Sequence, residues 1–480
     1  MTTDSTRPAS QSDPVAPPTA PGEPGLRPPG AGPGGASPGG AVGRPPGMSG
    51  PGNRPSLRKA LEVFENRNYR YLWTSSLVSF TGMQMQQITR AVIAWQLTES
   101  FTAVSLIFLS FGLPMLLFSL VGGAFADRLN KRNLTLATQI ATGVLMFVTA
   151  VLIVTDLITI ELLFVVGLIQ GTFFAFGMPA RSPLMAKVVG PQQLMSAMAL
   201  QNAAMNGTRL VGPALAGLFM WVQGVETAYF VQSSLYMVSV LFLLAVPSSL
   251  GRAEVVRRGS MAVEIAAGLR YAVTDRALRT LMMLAFITAL FAMPYMALLN
   301  GFVEEDLGQG PSVFSFLMLL TGAGGLIGSI AIAAFTEFDR KPLLQFGAGL
   351  ASAAGLVVLG LGSEIFGLGG AIAGVAILGL ALTGYQTLNM TMVMEVAKPQ
   401  YYGRVMSIQM LTFSTMPMMA VPLGMMADNF GASRVFATQG LVVGVLLLIV
   451  AATNVSYTFS RRQPPVHAGP ERDRSSTAAG

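Results

Sequence analysis

The sequence predicts an all-α membrane protein: twelve transmembrane helices in two pseudo-symmetric six-helix bundles. Three observations carry that expectation. Of 480 residues, 52% are hydrophobic and only 11% charged, where a soluble domain carries about 25% charged residues; mean hydropathy is +0.57. Twelve apolar runs, each near the roughly 20 residues that cross a hydrocarbon core, follow one another from Tyr71 onward. The halves also repeat. Ala124-Phe125-Ala126-Asp127 with Lys131-Arg132 is echoed by Ala334-Phe335-Thr336-Glu337 with Arg340-Lys341, and Gly212-Pro213 more weakly by Val421-Pro422.

Taken in order, residues 1–55 hold 14 Pro and 12 Gly. Such a stretch buries too little apolar area to offset its ordering entropy, so a disordered tail is expected. It has no apolar core and does not read as a signal peptide. Residues 56–70 read as a short basic amphipathic helix on the membrane surface. The apolar runs then fall at 71–97, 103–126, 134–155, 160–179, 196–222, 226–247, 278–302, 312–335, 342–362, 366–396, 405–428 and 433–458. This divides the chain into an N-terminal bundle (56–247), a central loop (248–277), a C-terminal bundle (278–460) and a second disordered tail (461–480). With the amino terminus inside, the inner loops gather fifteen Lys and Arg, Arg181 and Lys187 among them, whereas the outer loops offer only Arg434. Short cytoplasmic loops collect such cations, which places both termini in the cytoplasm.

Composition also excludes chemistry. The absence of Cys removes disulfides, thiolate metal sites and cysteine nucleophiles, and the single His467 lies in the polar tail. No phosphate-binding G-x-x-x-x-G-K-[ST] loop occurs, which argues against an ATP-driven pump. The net charge of +7 sits at span ends, where topology explains it better than nucleic-acid binding. No nucleophile–base pair or metal cluster falls in the spans, so neither an enzyme, a cofactor nor a metal is expected.

The elbow Gly122-Gly123-Ala124-Phe125-Ala126-Asp127-Arg128-Leu129-Asn130-Lys131-Arg132 joins two apolar runs through a carboxylate and basic residues. Its spacing resembles the signature between spans 2 and 3 of the major facilitator superfamily, with Asn130 where that family usually has Gly. Arg67-Asn68-Tyr69-Arg70-Tyr71-Leu72-Trp73, Met85-Gln86-Gln87, Arg209-Leu210-Val211-Gly212-Pro213-Ala214-Leu215-Ala216-Gly217 and Gly403-Arg404-Val405-Met406-Ser407 are similar to its bacterial exporter branch, which includes the enterobactin exporter and macrolide efflux proteins. The resemblance covers about residues 58–460. It implies an inner-membrane secondary exporter of amphipathic drugs, siderophores or other secreted small molecules, working by alternating access and coupled to protons. It further implies a cavity lined by spans 1, 4, 5, 7, 10 and 11. Membrane lipid is the expected environment, and the chain is expected to act as a monomer or weak oligomer. An importer of the same fold and a non-transporting receptor or scaffold are the alternatives.

Candidate residues follow from polarity inside apolar spans. Ser76, Ser79, Met83, Gln87 and Arg90 share one face of span 1, and a polar face on a spanning helix has to look into protein or a water-filled cavity. Arg90 either lines the outward half of that cavity and attracts anionic groups, or snorkels, or bonds an interior carbonyl. Gln87, Arg90, Asn202, Asn206, Tyr385 and Asn389 are the cavity candidates. Gly123, Asp127, Arg128, Lys131 and Arg132 are read as an inner gate, with Asp127 capping a helix of the other bundle; a plain topology signal is the alternative. Span 5 offers Arg209, Gly212, Pro213 and Gly217 as outer gate and helix bend, resembling the antiporter signature, against plain helix packing. The methionines of span 11 read better as core filling than as an adaptable recognition surface. No carboxylate lies mid-span. Glu395, near the inner end of span 10, is the proton-coupling candidate because burial would raise its pKa, and a solvated helix-end carboxylate is the alternative.

Overall fold

Hydropathy alone brings nine helices to the length and apolarity of a membrane crossing among the described residues. The computed structural model describes residues 61–251, 270–334, 340–397, 405, 408, 409, 412 and 415–454, with the backbone alone at 119–128, 191, 195, 333 and 334. Within it the chain forms α1 (Arg67–Thr98), α2 (Phe101–Arg128), α3 (Lys131–Val154), α4 (Ile160–Gly190), α5 (191–223) and α6 (Val225–Leu244). The second half forms α7 (Arg276–Asp306), α8 (Pro311–Ala334), α9 (Lys341–Phe366), α10 (Leu368–Val396), α11 (Met416–Phe430) and α12 (Ala432–Thr453). The fold is the expected one, twelve crossings in two bundles. The three helices outside the hydropathy criterion have local reasons. α1 carries Ser, Thr, Gln and Arg through its length, α5 carries Asn202, Asn206 and Arg209, and α11 has 15 described residues.

Ends are set by caps. Asn66 accepts from the Asn68 and Tyr69 amides at 3.0 and 3.3 Å, starting α1 four residues before the apolar run. Its Nδ2 donates to the Val188 carbonyl at 2.8 Å. The surface helix expected at 56–70 is, where described, a 3-10 turn at Glu62–Glu65 that tucks Val63 inside and stacks Phe64 on Tyr69 and Trp73. Asn130 caps α3 through Arg132 and Asn133 and also donates to the Ser248 carbonyl at 2.9 Å. The Asn-for-Gly departure in the elbow is therefore a helix cap, which a glycine lacking a side-chain acceptor could not supply. α4 and α5 run on from one another and break at Gly190, whose φ of 73° and ψ of 172° favour a residue without Cβ.

The turns alternate between two ends of the molecule: the turns near 99–100, 155–159, 224, 307–310, 367 and 431 share one face, those near 129–130, 190, 245–251 and 275 the other. Inside the first bundle, short polar ties replace hydrophobic force, which is weak between helices in lipid. The Ser75 and Ser239 hydroxyls meet at 2.9 Å, Gln232 Nε2 donates to Thr89 Oγ1 at 2.9 Å, and Ser233 Oγ donates to the Gly143 carbonyl at 2.8 Å. In the second bundle, α8 and α10 touch backbone to backbone: a methyl on Gly324 would lie 3.0 Å from the Leu380 amide nitrogen. The Gly324-x-x-x-Gly328 pair thus works as the packing motif its spacing predicts.

Candidate functional site

A column of polar side chains runs through the first bundle, where α1, α2, α3, α4 and α6 converge. At one end Arg181 on α4 donates from Nη1 and Nη2 to the Ser79 hydroxyl, both at 3.1 Å, with its guanidinium 5.0 Å over the Phe80 ring. Midway, Gln170 donates to Gln86 and Gln86 donates to the Met146 sulfur at 3.0 Å. At the other end Arg90 is 4% exposed, with its guanidinium 4.8 Å from the centre of Phe111 and 5.7 Å from Phe108. Its Nε and Nη1 have no hydrogen-bond partner. Beside the column lies a cavity of about 50 Å³ lined by Ser79, Phe80, Phe111, Gln139, Gln170, Phe173, Phe174, Arg181 and Tyr236.

The bundles meet along two seams. In one, α2 packs on α11: a methyl on Gly112 would lie 2.5 Å from Pro417, and one on Gly424 would lie 2.6 Å from Ser105 Oγ and 2.7 Å from the Phe101 carbonyl. In the other, α5 packs on α8: a methyl on Gly322 would lie 2.6 Å from the Arg209 carbonyl oxygen, and one on Gly217 would lie 2.6 Å from Ser315 Cβ. Gly301 of α7 takes up Trp95 and Phe101 from the first bundle. These contacts run from mid-height to the face carrying the 99–100 turn. There Asp428, near the end of α11, caps α2 across the seam. Its carboxylate accepts from the Phe101 amide at 2.7 Å, the Thr102 amide at 3.0 Å, Thr102 Oγ1 at 2.5 Å and Ser100 Oγ at 3.1 Å. A helix start leaves its first amides unpaired and carries partial positive charge, so a carboxylate is well matched to it.

The residues singled out from sequence are distributed differently from expectation. Arg90 neither snorkels, nor bonds a carbonyl, nor lines an open cavity, because aromatic rings enclose it. Gln87 is exposed mid-helix and donates to Gln84 at 3.3 Å. Asn202 and Arg209 are exposed and Asn206 half-buried, as an interior polar face of α5 requires. Tyr385 and Asn389 are each 1% exposed. Asn389 donates to the Leu281 carbonyl and accepts from Gln409, both at 3.0 Å, and Gly349 packs on the Tyr385 ring. These two side chains are packed inside the second bundle: the Asn389 amide is spent on Leu281 and Gln409, and the Tyr385 ring lies against Gly349.

The gate expectations divide in the same way. Gly212 and Pro213 are buried, and Gly212 packs on the backbone of Gln84 and Met85 within its own bundle, so only Arg209 and Gly217 of that set reach the other bundle. Arg132 donates from Nη2 to the Leu244 carbonyl at 2.9 Å, closing the end of α6, and Lys131 is 5% exposed; both serve the first bundle. The side chains of Gly123, Asp127 and Arg128 lie outside the described residues, as does most of the echo at 334–337. Glu395 is ion-paired to Lys341 at 2.5 Å with its side chain 52% exposed, so the expected burial is absent. Of the span 11 methionines, Met418, Met425 and Met426 are exposed, whereas Met419 packs against the core; Met406 and Met410 lie outside the described residues.

Sequence reasoning missed two residues. Arg181 was counted as an inner-loop cation because the apolar run stops at 179; α4 continues to 190 and carries it inside. Asp428 stands near the C-terminal end of α11, where the sequence offers it no cross-bundle partner. Nothing local in the sequence marks a carboxylate whose partners stand more than 320 positions away.

Comparison with known proteins completes the description. Residues 59–468 match the family described as transmembrane secretion effector. The chain is 23% identical to the staphyloferrin A transporter of Staphylococcus aureus, over 82% of this chain and 96% of that one. It is 21% identical to macrolide efflux protein A of Streptococcus pyogenes, over 82% and 98%, and 22% identical to the multidrug efflux pump Tap of Mycolicibacterium fortuitum, over 71% and 84%. Among solved structures, a bacterial homologue of the iron transporter ferroportin in an inward-facing state superposes with a TM-score of 0.63 at 12% identity, covering 82% of this chain and 99% of that one. The nucleoside transporter NupG D323A mutant superposes with a TM-score of 0.68 at 11% identity, covering 81% and 100%.

Proposed function

The chain belongs to the transmembrane secretion effector family of major facilitator transporters, and on that premise we propose that it is a secondary active exporter of amphipathic small molecules. It works by alternating access and is coupled to protons. The observation that carries this reading is the pair of seams and the Asp428 cap, which close one face while the first bundle keeps a polar cavity within. Positive charge gathers on the opposite face, which makes the closed face the outer one and puts both termini in the cytoplasm. The conformation is then the one that loads from the cytoplasm. Two bundles, 56–247 and 278–460, rock about the cavity, joined by the inner loop 248–277.

In this reading Asp428, Arg209 and Gly217 belong to the outer gate, and Gly123, Asp127 and Arg128 to the inner one. Gln87, Asn202 and Asn206 line the vestibule. Glu395, ion-paired with Lys341 at the inner end of the second bundle, is the proton-coupling residue of this reading. The names of the relatives, a siderophore transporter and drug efflux proteins, support export. The test is accumulation of a panel of amphipathic compounds in cells with and without the chain, with and without a protonophore. Lower accumulation that the protonophore reverses is expected. Higher accumulation would establish an importer, and no change for any compound in cells or proteoliposomes would favour a receptor or scaffold. Export unchanged in Glu395→Gln would remove that residue from coupling.

A further inference from the structure

Arg181 carries a charge that the fold leaves unanswered. Its forked guanidinium is met by one neutral hydroxyl, Ser79, and by the face of Phe80. Arg90, behind the Phe111 wall of the same cavity, has two unpartnered nitrogens. Tyr236 stands within electrostatic reach of both. Among the described residues neither arginine has a carboxylate within 4 Å, the Lys341–Glu395 pair being the ion pair present there. Arg90 is buried and Arg181 half-buried; taking such charges even partly out of water without a counter-ion is costly, and in lipid an ionisable group is retained where it meets a partner or a ligand.

The cavity wall states what that ligand resembles. Gln139 and Gln170, 2% and 5% exposed, each leave Oε1 without a donor and both line the cavity. A visiting group that carries negative charge beside a hydroxyl or N–H would satisfy the arginine and one of these oxygens together. A volume of about 50 Å³ holds a carboxylate-sized head group and no more, since a single water needs roughly 10–15 Å³ by the same measure. Four rings (Phe80, Phe111, Phe173 and Phe174) face the opening and offer an apolar platform to whatever extends from that head.

We propose that this cavity is the head-group subsite for the transported molecule and that the substrate class is an amphipathic anion, its carboxylate or equivalent seated on Arg181 and its apolar body on the phenylalanines. The assignment rests on the exporter reading and deepens it. Arg90 supplies a second positive charge through the wall without touching the ligand. A free inorganic anion such as chloride shares the chemistry of the head group and is separated by the test.

The experiment uses the full chain in chloride-free lipid nanodiscs with methanesulfonate, which has no hydroxyl or N–H, as the anion. Binding of mandelate, an α-hydroxy acid with an apolar ring, its neutral amide mandelamide and chloride is measured by calorimetry on the native chain, Arg181→Gln and Arg181→Lys. The acid is expected to bind at least tenfold more tightly than the amide. Arg181→Gln should lose that preference with an unchanged melting temperature in the absence of ligand, and Arg181→Lys should recover part of it. Equal binding of acid and amide, an acid affinity indifferent to Arg181→Gln, or binding of chloride with none of the acid would overturn the proposal. Should Arg181→Gln melt early, Gln139→Leu in the native Arg181 background provides the second arm: it must weaken mandelate more than phenylacetate, which lacks the hydroxyl, and equal weakening overturns the assignment. Cellular export of neutral or cationic compounds with no acid binding would leave the exporter reading standing and remove this one. Arg181-dependent acid binding with no transport of any compound would do the reverse.

Discussion

Removing the Asp428 carboxylate should loosen the closed face by an amount that the geometry bounds. Four donors converge on it, two of them first-turn amides of α2 that no helical carbonyl can serve. Loss of a helix-capping side chain costs about 0.5–2 kcal/mol, and the charge–dipole attraction adds about 0.3–1 kcal/mol. Asp428 is exposed, so water competes for the same donors and the lower part of the combined range applies. A shift of about 1–2 kcal/mol toward the open-outside state follows for Asp428→Ala, a five- to thirtyfold change in the two-state ratio. Asp428→Asn keeps an acceptor and loses the charge, so about half that free energy is expected. The chain has no native cysteine, which makes the assay direct. Ser105→Cys, fully buried against Gly424 in the α2–α11 seam, is alkylated by a membrane-impermeant thiol reagent added outside. Its rate should rise five- to thirtyfold in the Asp428→Ala background and less in Asp428→Asn. An unchanged rate, or equal rises in the two variants, would refute the charge-assisted cap.

Other expectations can be checked alongside it. Gly424→Val places a branched side chain against Ser105 and the Phe101 carbonyl and should raise the same alkylation rate at least as much as Asp428→Ala; a rate equal to the parent's would show that the seam is not closely packed. Asn130→Ala loses two amide contacts and the tie to Ser248, so the melting temperature in detergent should fall with a stability loss of about 0.5–2 kcal/mol, whereas Asn130→Asp should retain most of it. Asn389→Leu removes the link between Leu281 and Gln409 and should destabilise the second bundle by about 1–3 kcal/mol without reordering preference among compounds; a changed ranking at unchanged melting temperature would return Asn389 to the cavity.

The polarity of α1 and α5 was legible because a polar side chain inside an apolar run is a local signal. Gln87, Asn202 and Arg209 are exposed, whereas Ser76, Ser79 and Arg90 of the same predicted α1 face are buried. Tyr385 and Asn389 gave the same signal and proved to be bundle ties, since a polar side chain in lipid can be satisfied equally by a cavity or by a neighbouring helix. Arg90 sits where its helix position places it, but its aromatic enclosure depends on Phe108 and Phe111 from α2. Arg181 was misplaced for a different reason. An apolar run marks only the part of a helix that meets lipid, and α4 continues beyond that part with its arginine turned onto Ser79. Gly212 and Gly217 look alike in sequence, and only the facing helix makes one an intrabundle contact and the other an interbundle one.

The sequence by itself determined that this chain lives in lipid, crosses it twelve times and repeats itself in two halves, because burial in hydrocarbon demands long apolar runs and internally paired backbone, and both are written locally. The tertiary structure decided which glycines join the bundles, that Asp428 answers the start of α2, and that two arginines face aromatic walls with no carboxylate beside them among the described residues. Those are pairings between residues far apart in the chain, and the energy of a charge or a close contact is fixed by what stands opposite it, which no single helix contains.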